Sequence, residues 1–327
     1  MAEQTVIEAV RQTMLAEMKR DDSVIVLGED VGSRGGVFLA TDGLVEEFGE
    51  NRVIDTPLAE SSICGVALGA AVNGMRPIAE IQFADFVWPA INQLVGEASK
   101  VRYGTNGVKN APMTVRVPYG GGVRGGLYHS QSIEVLFAHT PGLSVVAPAT
   151  PYDAKGLLVS AIRSNDPVIV LEHKRTYRLV KGDVPEENYS IPIGNAEIKR
   201  PGSDLSIFTY GLMLHYSLQA AEMAAASGVN VEVVDLRTLR PLDEETIAES
   251  ASRTGKALII QEDTPAVSIS SEVAAIIGEK CFFDLDGPIT RLGPPEIPPM
   301  PFSPVQEAAF MPSPEKILDA INKLAQI

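Results

Sequence analysis

The feature that most constrains this chain is a set of short, uninterrupted apolar runs, each followed by glycine, proline or a polar break. SVIVLGED (23–30), RPIAEIQF (76–83), MTVRVP (113–118), LSVVAP (143–148) and PVIVLEH (167–173) share that grammar. A strand with one wet face alternates apolar and polar residues, whereas a continuous run belongs to a strand covered on both faces, as in a parallel sheet. Between the runs lie segments with helical spacing near 60–73, 88–103 and 151–164. An amphipathic helix over 5–20 precedes them, with Val6, Ile7, Val10, Met14, Leu15 and Met18 near one face. Strands alternating with helices predict an α/β fold of layered sheets and helices.

The pattern breaks at 174–203, where Lys, Arg, Pro, Gly, Glu and Asn show little periodicity. A second strand–helix series then begins: DLSIFTYG (204–211), a helix near 213–227, VNVEVVDLRTL (229–239), a helix near 243–253, KALIIQED (256–263) and a helix near 268–279. GPPEIPPMPFSP (293–304) is too rich in proline to continue a helix or a central strand and is expected to lie extended along a surface. Ile317, Leu318, Ile321 and Leu324 mark a last amphipathic helix. The expected division is an α/β domain over 1–185, a connector over 186–203 and a second α/β domain over 204–327. The 327 residues also exceed the roughly 250–300 at which a single core stops growing.

Composition removes several function classes. Lys and Arg number 27 against 42 Asp and Glu, for a formal charge of −15; a nucleic-acid partner is therefore not expected. No uncharged apolar run reaches the roughly 18 residues of a membrane span. Two cysteines, Cys64 and Cys281, cannot build a disulfide scaffold and fit a reducing compartment. The first 22 residues read neither as a signal peptide nor as an Arg-rich transit sequence. A cytoplasmic protein is the expectation.

The motifs leave more open. GGGVRGG (120–126) lacks the strand–GxGxxG–helix setting of a dinucleotide loop, and reads as a loop that lets backbone come close to something. In DTPLAES (55–61), Asp55 or Thr56 fits a helix cap, Pro57 an early helical position and Glu60 the first turn. A tightly packed capped helix and a ligand site explain that pattern about equally well, although a carboxylate there can trade a proton with a heterocycle nitrogen. GED (28–30) ends a strand where α/β domains place ligands, yet a solvated turn explains it too. Glu80, Gln82 and Ala84 share one face if 79–86 is a strand. Of the four histidines, His129 in YHSQS has the most suggestive setting, beside hydroxyls and an amide. His139, His173 and His215 have weaker claims. No His/Cys cluster has zinc spacing, and no GxSxG elbow occurs.

Taken in order, GED, DTPLAES, RPIAEIQFADF (76–86), YHSQS (128–132), PATPYDAKGLL (148–158), EHKRTYR (172–178) and VEVVDLRTLRPLD (231–243) resemble the beta subunit of the thiamine-diphosphate-dependent 2-oxoacid dehydrogenase component. The resemblance runs from about residue 5 to the C-terminus. It implies a pyrimidine-binding α/β domain followed by a transketolase-like C-terminal domain. It also implies two alpha and two beta subunits, each thiamine diphosphate lying between an alpha and a beta chain. The alpha subunit is implied to supply the diphosphate and Mg2+ site, marked by a GDG tripeptide that this chain lacks.

By the same resemblance, Glu60 matches the carboxylate that hydrogen-bonds the aminopyrimidine ring and promotes its imino tautomer. Leu58, Gln82 and Phe86 match positions lining that ring's pocket, many relatives carrying Tyr at the last. Glu29 matches an acid on the buried path connecting paired sites, and His129 the histidine serving the oxo-acid or acyl-transfer steps. A potassium ion held mostly by backbone is implied at Ala161, Ile162, Ser164 and Asp166. The implied reaction decarboxylates a 2-oxoacid and passes the acyl group to lipoyl-lysine of a dihydrolipoyl acyltransferase core. YHSQS and EHKRTYR look most like the branched-chain type, with 3-methyl-2-oxobutanoate as substrate. Pyruvate or acetoin dehydrogenation, or a non-catalytic assembly role, is the alternative.

Overall fold

The computed structural model describes residues 2–327. It divides into two compact units. One contains the chain up to Tyr119 together with Leu136–Ile193, and the other Gly120–Val135 together with Gly194–Ile327. The stretch around His129, which the sequence places inside the first domain, thus belongs with the second unit.

In chain order the first unit runs β1 (Ala2–Thr5), α1 (Val6–Arg20), β2 (Val24–Gly28), α2 (Leu44–Phe48), β3 (Val53–Asp55), α3 (Glu60–Val72), β4 (Arg76–Glu80), α4 (Val101–Gly104) and β5 (Thr114–Tyr119). After α5 (Glu134–Ala138), which begins in the other unit, come β6 (Ser144–Val146), α6 (Pro151–Arg163), β7 (Val168–His173), α7 (Thr176–Leu179) and β8 (Lys181–Val184). Six strands form a parallel sheet in the order β6-β7-β5-β4-β2-β3. β2, β5 and β7 are buried along their whole lengths, the double cover that continuous apolar runs require. α1 starts at a reciprocal cap, where Thr5 N–H donates to Glu8 Oε2 (2.7 Å) and Glu8 N–H to Thr5 Oγ1 (3.4 Å); such caps contribute about 1 kcal/mol. Its apolar face, Val6, Val10, Met14 and Met18, shares a core with Ala154, Leu157, Leu158 and Ile162 of α6. At about 1.5–3 kcal/mol per large apolar side chain, that seam outweighs the cap.

Three expectations change here. The run 76–83 leaves the sheet at Glu80, so Gln82 sits beyond the strand and a 3-10 turn, Ala84–Phe86, follows. The helix expected over 88–103 is broken into 3-10, π and α pieces; Pro89 has no N–H to donate and Gly96 is a poor helix former. Neither Asp55 nor Thr56 caps α3, whose N-cap is Ala59 without a side-chain hydrogen bond. Asp55 instead ends β3 and accepts from Gly32 N–H (2.6 Å).

In the second unit β9 (Glu197–Arg200), β10 (Leu205–Thr209), α8 (Leu212–Ala225), β11 (Val231–Asp235), β12 (Thr238–Arg240), α9 (Glu244–Thr254), β13 (Ala257–Ile260), α10 (Ile269–Cys281), β14 (Thr290–Leu292), α11 (Pro304–Phe310) and α12 (Pro314–Ala325) follow. Its sheet order is β14-β13-β10-β11-β9, parallel except for β9, which pairs antiparallel with β11. The supposed connector therefore carries an edge strand. Residues 293–303 join neither helix nor strand, and Ile317, Ile321 and Leu324 of α12 are buried.

Candidate active site

In an open parallel sheet, ligands sit at the carboxyl ends of strands where the strand order reverses. In the first unit that point is β2, flanked by β3 on one side and β4 on the other. Glu29 directly follows β2, Glu60 opens α3 after β3, and Gln82 follows β4. Their spacing in sequence is wide, but the topology delivers all three to one end of the sheet.

Glu60 is 7% exposed. The Gln82 side-chain amide donates to the Glu29 carbonyl (3.3 Å), tying the exits of β4 and β2 together. Burial lifts the Glu29 carboxyl above the usual range, and the charges of Asp30 and Glu60 lift it further, against Arg34. The Cys64 thiol, one turn into α3, is pushed up to about 12 by burial and by Glu60. Leu58 stands 70% exposed just before Glu60. Phe86 is half-buried, its ring edge-on to Phe83 at 5.8 Å, and Phe83 in turn meets Phe38 (5.5 Å) and the Lys174 ammonium (5.6 Å).

Beneath these ends lies an ionic network that the sequence reading passed over. Arg116 on β5 donates to both oxygens of Glu172 on β7 (2.7 and 2.6 Å) and to Glu80 on β4, and Tyr177 Oη donates to Glu172 (2.5 Å). All four residues are fully buried or nearly so. Burial pushes the Glu80 carboxyl up, Arg116 pulls it down, and Glu172 pushes it up again; the net direction is upward. The signal was present, since a charge inside a continuous apolar run, as in MTVRVP and PVIVLEH, must find a buried partner.

His129 lies apart from these residues in sequence and belongs with the second unit. It is half-buried and follows a 3-10 turn, Gly126–Tyr128. His173 is buried, its ring edge-on to Tyr119 (5.1 Å) and its Nδ1 accepting from Arg175 N–H (3.2 Å), a structural role.

The proposed potassium segment ends α6. Arg76 donates to the carbonyls of Ile162 (3.1 Å) and Ser164 (2.8 Å) and to Asn165 Oδ1 (2.7 Å). Ser164 N–H donates to the Ala161 carbonyl (3.1 Å), and Asp166 pairs with Arg102 (2.5 Å). No group of three or more His, Cys, Asp or Glu side chains is placed to hold a metal among the described residues.

Comparison with known proteins bears on this arrangement. Residues 2–180 match the transketolase pyrimidine binding domain, and residues 194–317 the transketolase C-terminal domain. The chain is 58% identical over 320 residues to the 2-oxoisovalerate dehydrogenase subunit beta of Bacillus subtilis, covering 98% of both chains. The chain belongs to the beta-subunit family of thiamine-diphosphate-dependent 2-oxoacid dehydrogenases, which work with an alpha subunit. Another member, the pyruvate dehydrogenase E1 component subunit beta of B. subtilis, is 47% identical across the full length of both chains. A solved structure described as a split gene transketolase, an inactive beta4 tetramer, superposes with a TM-score of 0.79 at 21% identity over 98% of each chain; that likeness concerns fold alone. The two-unit α/β architecture is that of this family. No helix among the described residues is long and apolar enough to cross a membrane.

Proposed function

We propose that this chain is the beta subunit of a branched-chain 2-oxoacid dehydrogenase. With its alpha partner it would decarboxylate 3-methyl-2-oxobutanoate and transfer the acyl group to the lipoyl-lysine disulfide, releasing carbon dioxide and leaving an S-acyl-dihydrolipoyl group. The observation that carries the site is the meeting of Glu60, Glu29 and Gln82 at the reversal point of the first unit's sheet. The substrate class rests on identity, 58% to the 2-oxoisovalerate subunit against 47% to the pyruvate subunit.

The residues present fit the pyrimidine half of thiamine diphosphate. A buried carboxylate at Glu60 accepts a ring N–H, the Gln82 amide offers a polar edge, and Phe86 offers a flat apolar wall. The cofactor, when bound, supplies the nucleophilic carbon and the electron sink for decarboxylation. Glu60 holds the proton-exchanging edge of the ring, while Glu29 and Gln82 fix the carboxyl ends of the strands that frame it. His129 serves the substrate or acyl-transfer side. Mg2+ and the diphosphate belong to the alpha subunit, since this chain has no GDG tripeptide. The exposed apolar side chains Leu58, Val66 and Trp88 support a partner surface. An alpha-two beta-two tetramer and a dihydrolipoyl acyltransferase core complete the assembly we infer. Potassium at Ala161, Ile162, Ser164 and Asp166 is part of the same proposal, its carbonyl ligands sharing their lone pairs with Arg76.

Calorimetry with thiamine diphosphate and magnesium tests the shared site. Tight binding is expected only when the chain is co-purified with its alpha partner, and tight binding by the chain alone would overturn the division of labour. Assays of the pair should then favour 3-methyl-2-oxobutanoate over pyruvate; a strong pyruvate preference would reassign the substrate.

A further inference from the structure

The second unit's sheet also reverses its order, at β10 between β11 and β13. There the chain fills the place with its own backbone. Gly121 N–H donates to Glu262 Oε1 (2.5 Å), just past the end of β13. Gly122 N–H and Arg124 N–H both donate to one oxygen of Glu307 (3.1 and 3.0 Å), which reaches the loop from α11, some 180 residues away. Gly120, Gly122, Arg124 and Gly126 all have positive φ, between 60° and 82°. Alternating conformations of this kind turn successive N–H groups towards one anion, and here a carboxylate of the same chain is that anion. Glu307 is only 6% exposed. The segment between Glu262 and Glu307 contributes as well. A Cβ on Gly121 would overlap the Met300 thioether, and one on Gly126 would lie 3.0 Å from the Phe302 ring.

The clamped loop is the mount of His129. Gly120 N–H donates to the Gln131 carbonyl (3.0 Å), closing residues 120–131 into a ring. Within it the Gly125 backbone lies so near His129 that a Cβ there would meet His129 Cβ at 2.8 Å. A shift of the glycine strand of the ring would therefore carry the histidine with it.

We propose that Glu307 is a positioning residue for His129: its carboxylate fixes the glycine loop and thereby the place of the imidazole. The inference rests on the role given to His129 above, and its test separates the two. Glu307→Ala, Glu307→Gln, His129→Ala and the Glu307→Ala/His129→Ala double variant are each assembled with the alpha subunit. Hydrogen exchange of the loop amides is followed beside steady-state kinetics. Glu307→Ala should lose protection at Gly122 and Arg124 and lower kcat by about 10- to 100-fold, as small displacements of reacting groups do. Glu307→Gln, which keeps an acceptor oxygen, should recover to within about threefold of wild type. On the His129→Ala background, Glu307→Ala should add less than about twofold, because the two act through one group. Unchanged amide protection, or a full loss on the His129→Ala background, would overturn the positioning role. Full activity in His129→Ala with protection still lost in Glu307→Ala would sink the role of His129 and leave the clamp standing. Should Glu307→Ala fail to assemble, Glu307→Asp, with its shortened reach, carries the same comparison.

Discussion

Two sheets of the same design meet different ends in this molecule. Both are doubly wound, and both reverse their strand order, at β2 in the first unit and at β10 in the second. At β2 the carboxyl ends carry Glu29 and Glu60 with a half-buried Gln82, polar groups aimed at an end of the sheet. At β10 the corresponding place receives the chain's own loop, held by Glu262 and Glu307. The topology is the same in both; local sequence decides what stands at the strand ends. In the first unit α3 brings small residues and an acid at its first position. Four positive-φ positions in 120–126 let backbone enter the second.

The largest expected effect breaks the comparison at Glu60. Glu60→Gln keeps size and packing but removes the carboxyl proposed to exchange the proton, so kcat of the chain assembled with its alpha subunit should fall by about 10²–10⁴-fold with that assembly unchanged. Retention of full activity in a normally assembled variant would remove Glu60 from the chemistry.

Next comes the support beneath it. Arg116→Met leaves Glu80 and Glu172 buried without their cation, a change that costs about 3–5 kcal/mol. Thermal or denaturant unfolding should register that loss. A cost below about 1 kcal/mol would mean that the two carboxyls simply take up protons and that the network is not what holds the first unit's strand ends.

How far could a reader of the sequence have gone? The strands were legible wherever an apolar run is both long and enclosed, as at 24–28, 114–119 and 168–173. Where the chain leaves the sheet but stays inside the protein, apolarity misleads. Ile81 is buried although β4 has ended, so the run 76–83 looked like one strand. β3, three residues long, offered too little pattern to see. Local pattern singled out Glu60, the GED acids and Gln82 but left a structural explanation open for each, and their roles came from the family resemblance; their approach depends on strand order, which no local pattern encodes. Glu307 was invisible for the same reason, being far from the glycine loop in sequence and unmarked by any motif.

The second set of strand ends differs from the first in its acids, and pH can sharpen that difference. Burial raises the Asp263 carboxyl to about 6, with Glu262 adding to the rise against a hydrogen bond from Thr264 N–H. The Glu134 carboxyl is raised too, first by burial and then by Asp263 and Glu262. The folded protein therefore holds protons that the unfolded chain releases near pH 4. Stability contributed by these groups is present at low pH and is lost as pH rises, through about 4 to 6 for Asp263. Asp263→Asn keeps the acceptor for Thr264 and removes the charge. It should be more stable than wild type by on the order of 2 kcal/mol at pH 8, with little difference near pH 4. Equal stabilities across that range would show that Asp263 is free to ionise in the folded state.

The smallest effect concerns potassium in the first unit. Arg76 already places a guanidinium on the carbonyls of Ile162 and Ser164. Each carbonyl has a second lone pair, so an ion can still bind, but beside a fixed positive charge. Replacing NaCl with KCl at equal ionic strength should then raise Tm by only about 1–3 °C, the scale of a contribution below 1 kcal/mol. Arg76→Met frees the carbonyls and removes the repulsion; it should lower Tm in NaCl and widen the gain from KCl. No difference between the salts in either protein would leave Arg76 as the cation that this turn was built around, and potassium would drop out of the proposal.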